Sequence, residues 1–214
     1  MQQLADGVWQ LDGFPRNAIN VYILGDVLID AGTVLDRRRV LSQAEKRTIT
    51  AHALTHAHFD HYGSSRAVCD RFGVPMWVGA LDVEMVEKGK MLGPRGLVIP
   101  AAPRCQVQRA LSEGDQVAGF QVLNTPGHSP GHVSFWRESD RVLVCGDVIW
   151  GCNPFLNSGP PQEPFAFASP DPRRNRESAR RLAELQPALV CFGHGPPLRD
   201  AQRFADIVAE LPRD

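Results

Sequence analysis

Residues 55–61 read Thr55-His56-Ala57-His58-Phe59-Asp60-His61. Of the seven histidines in the chain, three fall within this stretch. Immediately upstream, residues 49–55 form a short apolar run that reads as a strand. Downstream, residues 62–72 read as a helix stopped by Gly73. The cluster therefore lies at the C-terminal end of a strand, where open α/β sheets place their sites. In an extended segment positions i and i+2 point the same way, so His56 and His58 can hold one metal ion. Asp60 and His61 follow as the chain turns into the helix, and the turn aims them toward a second ion.

Working outward, three further loops have the same construction. His128 follows the strand-like residues 120–123 and the turn Pro126-Gly127, Asp147 follows residues 142–145 and Gly146, and His194 follows residues 189–192 and Gly193. Each is a polar residue just past an apolar strand, with a glycine before it that permits tight turning and close backbone approach. Four such loops, each ending one strand, read together as a metal site. His52 and His132 read as structural, with His132 placed to support a ligand loop.

The rest of the chain alternates short apolar runs with helical stretches. Residues 19–24 and 27–30 read as a hairpin across Gly25-Asp26. Thr33 reads as the cap of a helix ending near Lys46. Residues 76–78 and 133–136 read as strands, and residues 81–87 as a short helix. Pro172 opens a helix behind Asp171, and Pro187 lies past its end. Phe204, Ile207, Val208 and Leu211 form the apolar stripe of a last helix. Residues 89–103 and 151–170, rich in Gly and Pro, resist assignment. Segments of this kind often form lids or binding loops, and Phe155, Leu156, Phe165 and Phe167 give the second an apolar face suited to a lid over the site.

With 214 residues, 43% hydrophobic and 22% charged, the chain has the composition of a globular domain, taken here as one domain over residues 1–214. A net charge of −1 lacks the basic excess of a nucleic-acid surface. The arginines at 37–39 and 173–181 read as solvated helix faces. No apolar run is long enough to span a membrane. The first residues lack the pattern of a secretory signal. Five cysteines at irregular spacing argue against a disulfide framework and for a cytoplasmic protein with reduced thiols.

The set Thr55-His56-Ala57-His58-Phe59-Asp60-His61, Thr125-Pro126-Gly127-His128, Gly146-Asp147 and Gly193-His194 resembles the metallo-β-lactamase superfamily, with its glyoxalase II-like hydrolases nearest in pattern. The resemblance extends to residues 20–24 and 28–32. It implies an α+β four-layer αββα sandwich, in which two mixed β-sheets pack face to face with helices outside. It implies one metal ion held by His56, His58 and His128, a second held by Asp60, His61 and His194, and Asp147 bridging them. Asp30 matches an acidic position that supports a ligand loop. Such N/O ligands suit two divalent ions, zinc before iron or manganese. The implied activity is hydrolysis of an ester, thioester or lactone carbonyl by a hydroxide bridging the ions, with Asp60 and Asp147 as the catalytic carboxylates.

Departures from known subfamilies narrow this expectation. Many β-lactamases of this fold carry Cys where Asp147 stands. Glyoxalase II enzymes carry a helical C-terminal region, whereas 20 residues follow His194 here. Some quorum-signal lactonases use a Tyr where Trp150 stands. The partner expected is a small-molecule substrate, with neither nucleic acid nor membrane; the oligomeric state is left open. Two rival readings remain. In persulfide dioxygenases of this fold, one iron would sit on the positions of His56, His128 and Asp147. A metal-stabilised binding protein without catalysis is the other.

Overall fold

The computed structural model describes residues 1–93 and 96–213. With elements numbered in chain order, the strand that delivers the histidine cluster is β5 (Ala51–Ala53), buried along its whole length. It lies in a seven-stranded sheet ordered β1 (Gln2–Ala5), β2 (Val8–Gln10), β3 (Tyr22–Leu24), β4 (Val27–Ile29), β5, β6 (Met76–Gly79) and β9 (Arg109–Leu111). Pairing is antiparallel from β1 to β4 and parallel from β4 to β9. A second sheet runs β10 (Gln116–Val117), β11 (Phe120–Asn124), β12 (Val133–Arg137), β13 (Val142–Gly146), β14 (Leu189–Phe192), antiparallel except for the parallel β13–β14 pair. Both sheets are therefore mixed, as expected.

Alternation along each strand produces the layers. Tyr22, Leu24, Val27 and Ile29 of the first sheet meet Val122, Phe135, Val142 and Val144 of the second in one buried cluster. The odd-phase residues of β13, Leu143 and Cys145, face the other way, against α5 (Pro172–Glu184) and α6 (Ala201–Ala209) through Leu182, Phe204 and Ile207. Ile23 and Leu28 likewise pack outward on Val40 of α1 (Arg37–Ala44) and Val68 of α3 (Ser65–Phe72). Strands buried on both faces are apolar throughout, which is why the sequence shows continuous runs there. The four layers are helix, sheet, sheet, helix: the αββα sandwich.

Several elements differ from expectation. Thr33 caps a 3-10 turn, Val34–Asp36, by a capping box with Asp36, and α1 begins only after it. The helix expected over 62–72 is two pieces, α2 (Phe59–Tyr62) and α3, so Asp60 and His61 lie on a separate single turn. Within 89–103, β7 (Lys90–Leu92) and β8 (Val98–Pro100) form a hairpin; residues 94 and 95 of that stretch lie outside the described residues. The strands β1, β2, β9 and β10 were not expected. They are two to four residues long, too short for periodicity to separate them from loops. Residues 151–170 hold only two isolated bridges and the 3-10 turn Ala166–Ala168. No helix among the described residues is long and apolar enough to cross a membrane.

Candidate metal centre

β5, β11, β13 and β14 end at one edge of the two sheets, and the loops that follow them bring all seven expected residues together. Ligand-type atoms of His56, His58 and His128 lie within 4.8 Å of one another, as do those of Asp60, His61 and His194, and those of His56, His61 and Asp147. Asp147 stands between the first two groups. Its Oδ2 is 3.4 Å from His128 Nε2 and 3.2 Å from His194 Nε2, and its Oδ1 is 3.5 Å from His61 Nε2. Gly193 makes room for this approach, since a Cβ there would lie 1.9 Å from Asp147 Oδ1.

Every imidazole of the set is tethered through its outer nitrogen. His61 Nδ1 meets Asp30 Oδ2 at 2.9 Å, and His194 Nδ1 meets the Ala18 carbonyl at 2.5 Å. His58 Nε2 faces the Leu92 carbonyl of β7 at 3.3 Å, and His128 Nδ1 faces Ser169 Oγ at 3.0 Å. Thr55 Oγ1 gives its hydrogen to Asp30 Oδ2 at 2.8 Å, so it accepts from His56 Nδ1 at 2.9 Å. The outer partners of His56, His58, His61 and His194 are thus acceptors. In the neutral ring the proton sits outside and a bare lone pair points inward, the tautomer a metal ligand needs. Asp30 serves two of these rings while buried, at a backbone φ of +61°.

The inward atoms lack partners suited to them. His56 Nε2 and Asp147 Oδ1 are buried without a hydrogen bond among the described residues. His58 Nδ1 and His128 Nε2 face each other at 2.9 Å, and His61 Nε2 and His194 Nε2 at 3.4 Å. Burial, reinforced by neighbouring imidazoles, pushes His56 and His128 well below the ordinary histidine range, which keeps them neutral. Burial opposes charge on His61 and His194 too, but Asp147 with Asp30 and Asp60 raises His61 well above its usual value. Asp147 and Asp60 raise His194 to about 10. Bare nitrogens on one side and carboxylate charge holding protons on the other form a donor set that fits cations, since bound metal displaces such protons. The residues present fit a metal centre.

His52 and His132 do what was expected of them. His52 bonds to the Leu28 carbonyl and Ser65 Oγ within the sheet–helix layer. His132 Nε2 accepts from the Asp147 backbone at 3.1 Å, and burial lowers its pKa to about 3. Sequence reasoning missed Ser169, the Leu92 and Ala18 carbonyls, and the true part of Trp150. Trp150 lacks a phenol, yet its indole N–H donates to Asp147 Oδ2 at 2.7 Å. Its position three residues after Asp147 was the available signal.

Above the centre lies a cavity of about 440 Å³ walled by Phe59, Met91, Leu92, Ile99, Phe155 and Phe167. The rings of Phe155, Phe165 and Phe167 stack on one another, with centroids 5.6 to 6.4 Å apart. Phe155 is nonetheless 72% exposed and Phe167 55%. The segment 151–170 and the β7–β8 hairpin thus form facing walls of one mouth. No lysine or arginine lines the cavity among the described residues.

The chain is similar to known proteins. A family model for the metallo-beta-lactamase superfamily matches residues 15–194. The probable metallo-hydrolase YflN of Bacillus subtilis (strain 168) is 30% identical over 213 residues, covering 86% of this chain and 80% of YflN. The hydroxyacylglutathione hydrolase of Bdellovibrio bacteriovorus (strain ATCC 15356 / DSM 50701 / NCIMB 9529 / HD100) is 32% identical over 126 residues, 57% of this chain and 41% of that protein. Among solved structures, TTHA1623 in a di-iron-bound form superposes with a TM-score of 0.62 at 32% identity, covering 94% of this chain and 92% of its own. With its histidines and aspartates gathered at four strand ends, its sandwich of two mixed sheets and a family match over most of its length, the chain belongs to the metallo-β-lactamase superfamily.

Proposed function

We propose that this chain is a hydrolase working with two divalent metal ions on the carbonyl of an ester, thioester or lactone. His56, His58 and His128 hold one ion, Asp60, His61 and His194 hold the other, and Asp147 stands between them. The observation that carries this reading is the outward tethering of four rings onto acceptors, which turns their other nitrogens toward one another and toward Asp60 and Asp147. Bound divalent ions supply Lewis acidity and bring the pKa of water toward neutrality. Zinc is the first expectation, and iron or manganese suits the same donors. The di-iron form of TTHA1623 keeps iron in view.

The chain's own residues supply the rest. Both carboxylates line the cavity, and Asp60, 20% exposed where Asp147 is 3%, is the more open of the two and orients the attacking water by accepting a hydrogen bond from it. Burial opposes its charge, but His61 and His194 hold it well below the usual carboxylate range, so it is ionised at neutral pH. Trp150 and His132 fix Asp147 from its two sides. The phenylalanine walls favour a substrate whose non-reacting part is apolar and uncharged, such as an acyl chain that would cover the exposed Phe155 and Phe167. A one-iron reading on His56, His128 and Asp147 would leave the Asp60–His61–His194 group without a task.

Elemental analysis of metal per chain is the test, followed by a panel of esters, thioesters and lactones. About two ions per chain and turnover of a neutral carbonyl substrate are expected. One iron per chain, with oxygen consumed in the presence of a persulfide, would overturn the proposal.

A further inference from the structure

Asp82 is a buried carboxylate outside the seven-residue set. It ends the 3-10 turn Ala80–Asp82 that follows β6, and α4 (Val83–Lys88) starts from it. Its Oδ2 accepts from the Ala57 backbone at 2.9 Å and from Ser129 Oγ at 2.6 Å. Its Oδ1 accepts from the Gly131 backbone at 2.8 Å. Ala57 lies between His56 and His58, and Ser129 directly follows His128. One side chain therefore ties together the two loops that carry these three histidines, at sequence separations of 25, 47 and 49.

The junction is tight. A Cβ on Gly131 would lie 2.3 Å from the Asp82 backbone nitrogen, so the 127–131 loop rests directly on the turn. Burying a carboxylate is costly unless donors satisfy it, and here three do. Burial still raises the Asp82 pKa, against the lowering effect of those donors. A buried carboxyl group with both oxygens spent on the two loops points to a geometric task. The Asp60–His61–His194 group is held by other contacts, through Asp30 and the Ala18 carbonyl.

We propose that Asp82 is a positioning residue that sets the spacing of His56 and His58 against His128, and so governs metal occupancy at that site separately from the other. This rests on the two-ion reading above. Partners bonded directly to ligating rings commonly change metal affinity by about 10- to 100-fold when removed, and Asp82 acts on three such rings at once through the loops that carry them.

The test uses Asp82→Asn, which keeps the shape but offers one accepting oxygen in place of two, and Ser129→Ala, which removes a single bond. Each full-length protein is stripped of metal and titrated with Co²⁺, followed by visible absorption and by competition with a chelator. Asp82→Asn is expected to bind one equivalent as the unsubstituted protein does and to weaken for the other about 10- to 100-fold. Ser129→Ala should weaken the same equivalent by less. Leu182→Ala, in the α5 layer, serves as a destabilised control that should leave the two equivalents unsplit. Equal weakening of both equivalents, unchanged binding of both, or the same splitting in Leu182→Ala would overturn the proposal while leaving the two-ion reading intact. If the unsubstituted protein binds a single ion that Asp82→Asn weakens, Asp82 keeps its role and the two-ion reading falls. Binding of no ion refutes both.

Discussion

Asp30→Asn is the substitution whose consequences the structure defines most closely. Asp30 accepts from Thr55 N at 2.8 Å through Oδ1, and from Thr55 Oγ1 at 2.8 Å and His61 Nδ1 at 2.9 Å through Oδ2. With the amide nitrogen placed at Oδ2, two acceptor contacts become donor-to-donor encounters. Hydrogen bonds to charged groups contribute about 1.5–3 kcal/mol each, so the two together amount to about 3–6 kcal/mol. Part appears as lost stability and part as lost metal affinity, because relief requires the rings to change tautomer. Thr55 Oγ1 would turn its hydrogen toward His56 Nδ1, moving that ring's proton to the inward Nε2. His61 would do the same to accept from the amide. Both changes block a lone pair needed for a metal ion. Thr55→Val breaks only the His56 branch. Competition between the metal-free protein and a chromophoric chelator for Zn²⁺ should show affinity falling at least about 100-fold in Asp30→Asn and about 10-fold in Thr55→Val. Zinc affinity in Asp30→Asn equal to that of the unsubstituted protein would refute the tautomer reasoning.

Four further outcomes are expected. Asp60→Ala should lose metal and turnover together; turnover that survives in a metal-free Asp60→Ala protein would remove Asp60 from the mechanism. Gly193→Ala, whose Cβ would meet Asp147 Oδ1 at 1.9 Å, should abolish binding of at least one ion while a far-ultraviolet spectrum shows retained secondary structure. In a series of acyl esters, kcat/KM should climb by up to about fourfold per methylene, from about 0.8 kcal/mol of burial each, and Phe155→Ser/Phe167→Ser should flatten the slope. His52 is buried and its pKa is lowered chiefly by that burial, so the folded state binds fewer protons than the unfolded state below about pH 6.5. Its contribution to stability is complete above that pH and is lost as pH falls toward the folded value. Urea unfolding of metal-free protein at pH 7 and pH 5 should therefore show a smaller pH dependence in His52→Gln, by at most about 1.4 kcal/mol per pH unit.

Local sequence was sufficient to single out the seven residues that the fold brings together. The alternation in residues 55–61, and the glycine before each of His128, Asp147 and His194, are properties of a few neighbouring positions. Strand ends and tight turns are made locally, so those residues were legible one loop at a time. The apolar runs of β13 and β14 were legible for the same reason, being buried on both faces. Tertiary structure decided what those residues face. His58 meets His128 across 70 positions and His61 meets His194 across 133, and which nitrogen points inward follows from partners as remote as Ala18, Leu92 and Ser169. Asp82 had no distinguishing neighbours in sequence, and Trp150 read as a missing phenol until its indole was seen on Asp147. The phenylalanines of 155–167 were visible as apolar, but their stacking and the wall they form opposite β7–β8 depend on two segments folding against each other. Periodicity records which way a side chain points from its own backbone; what it meets there is set by the order in which strands join the two sheets.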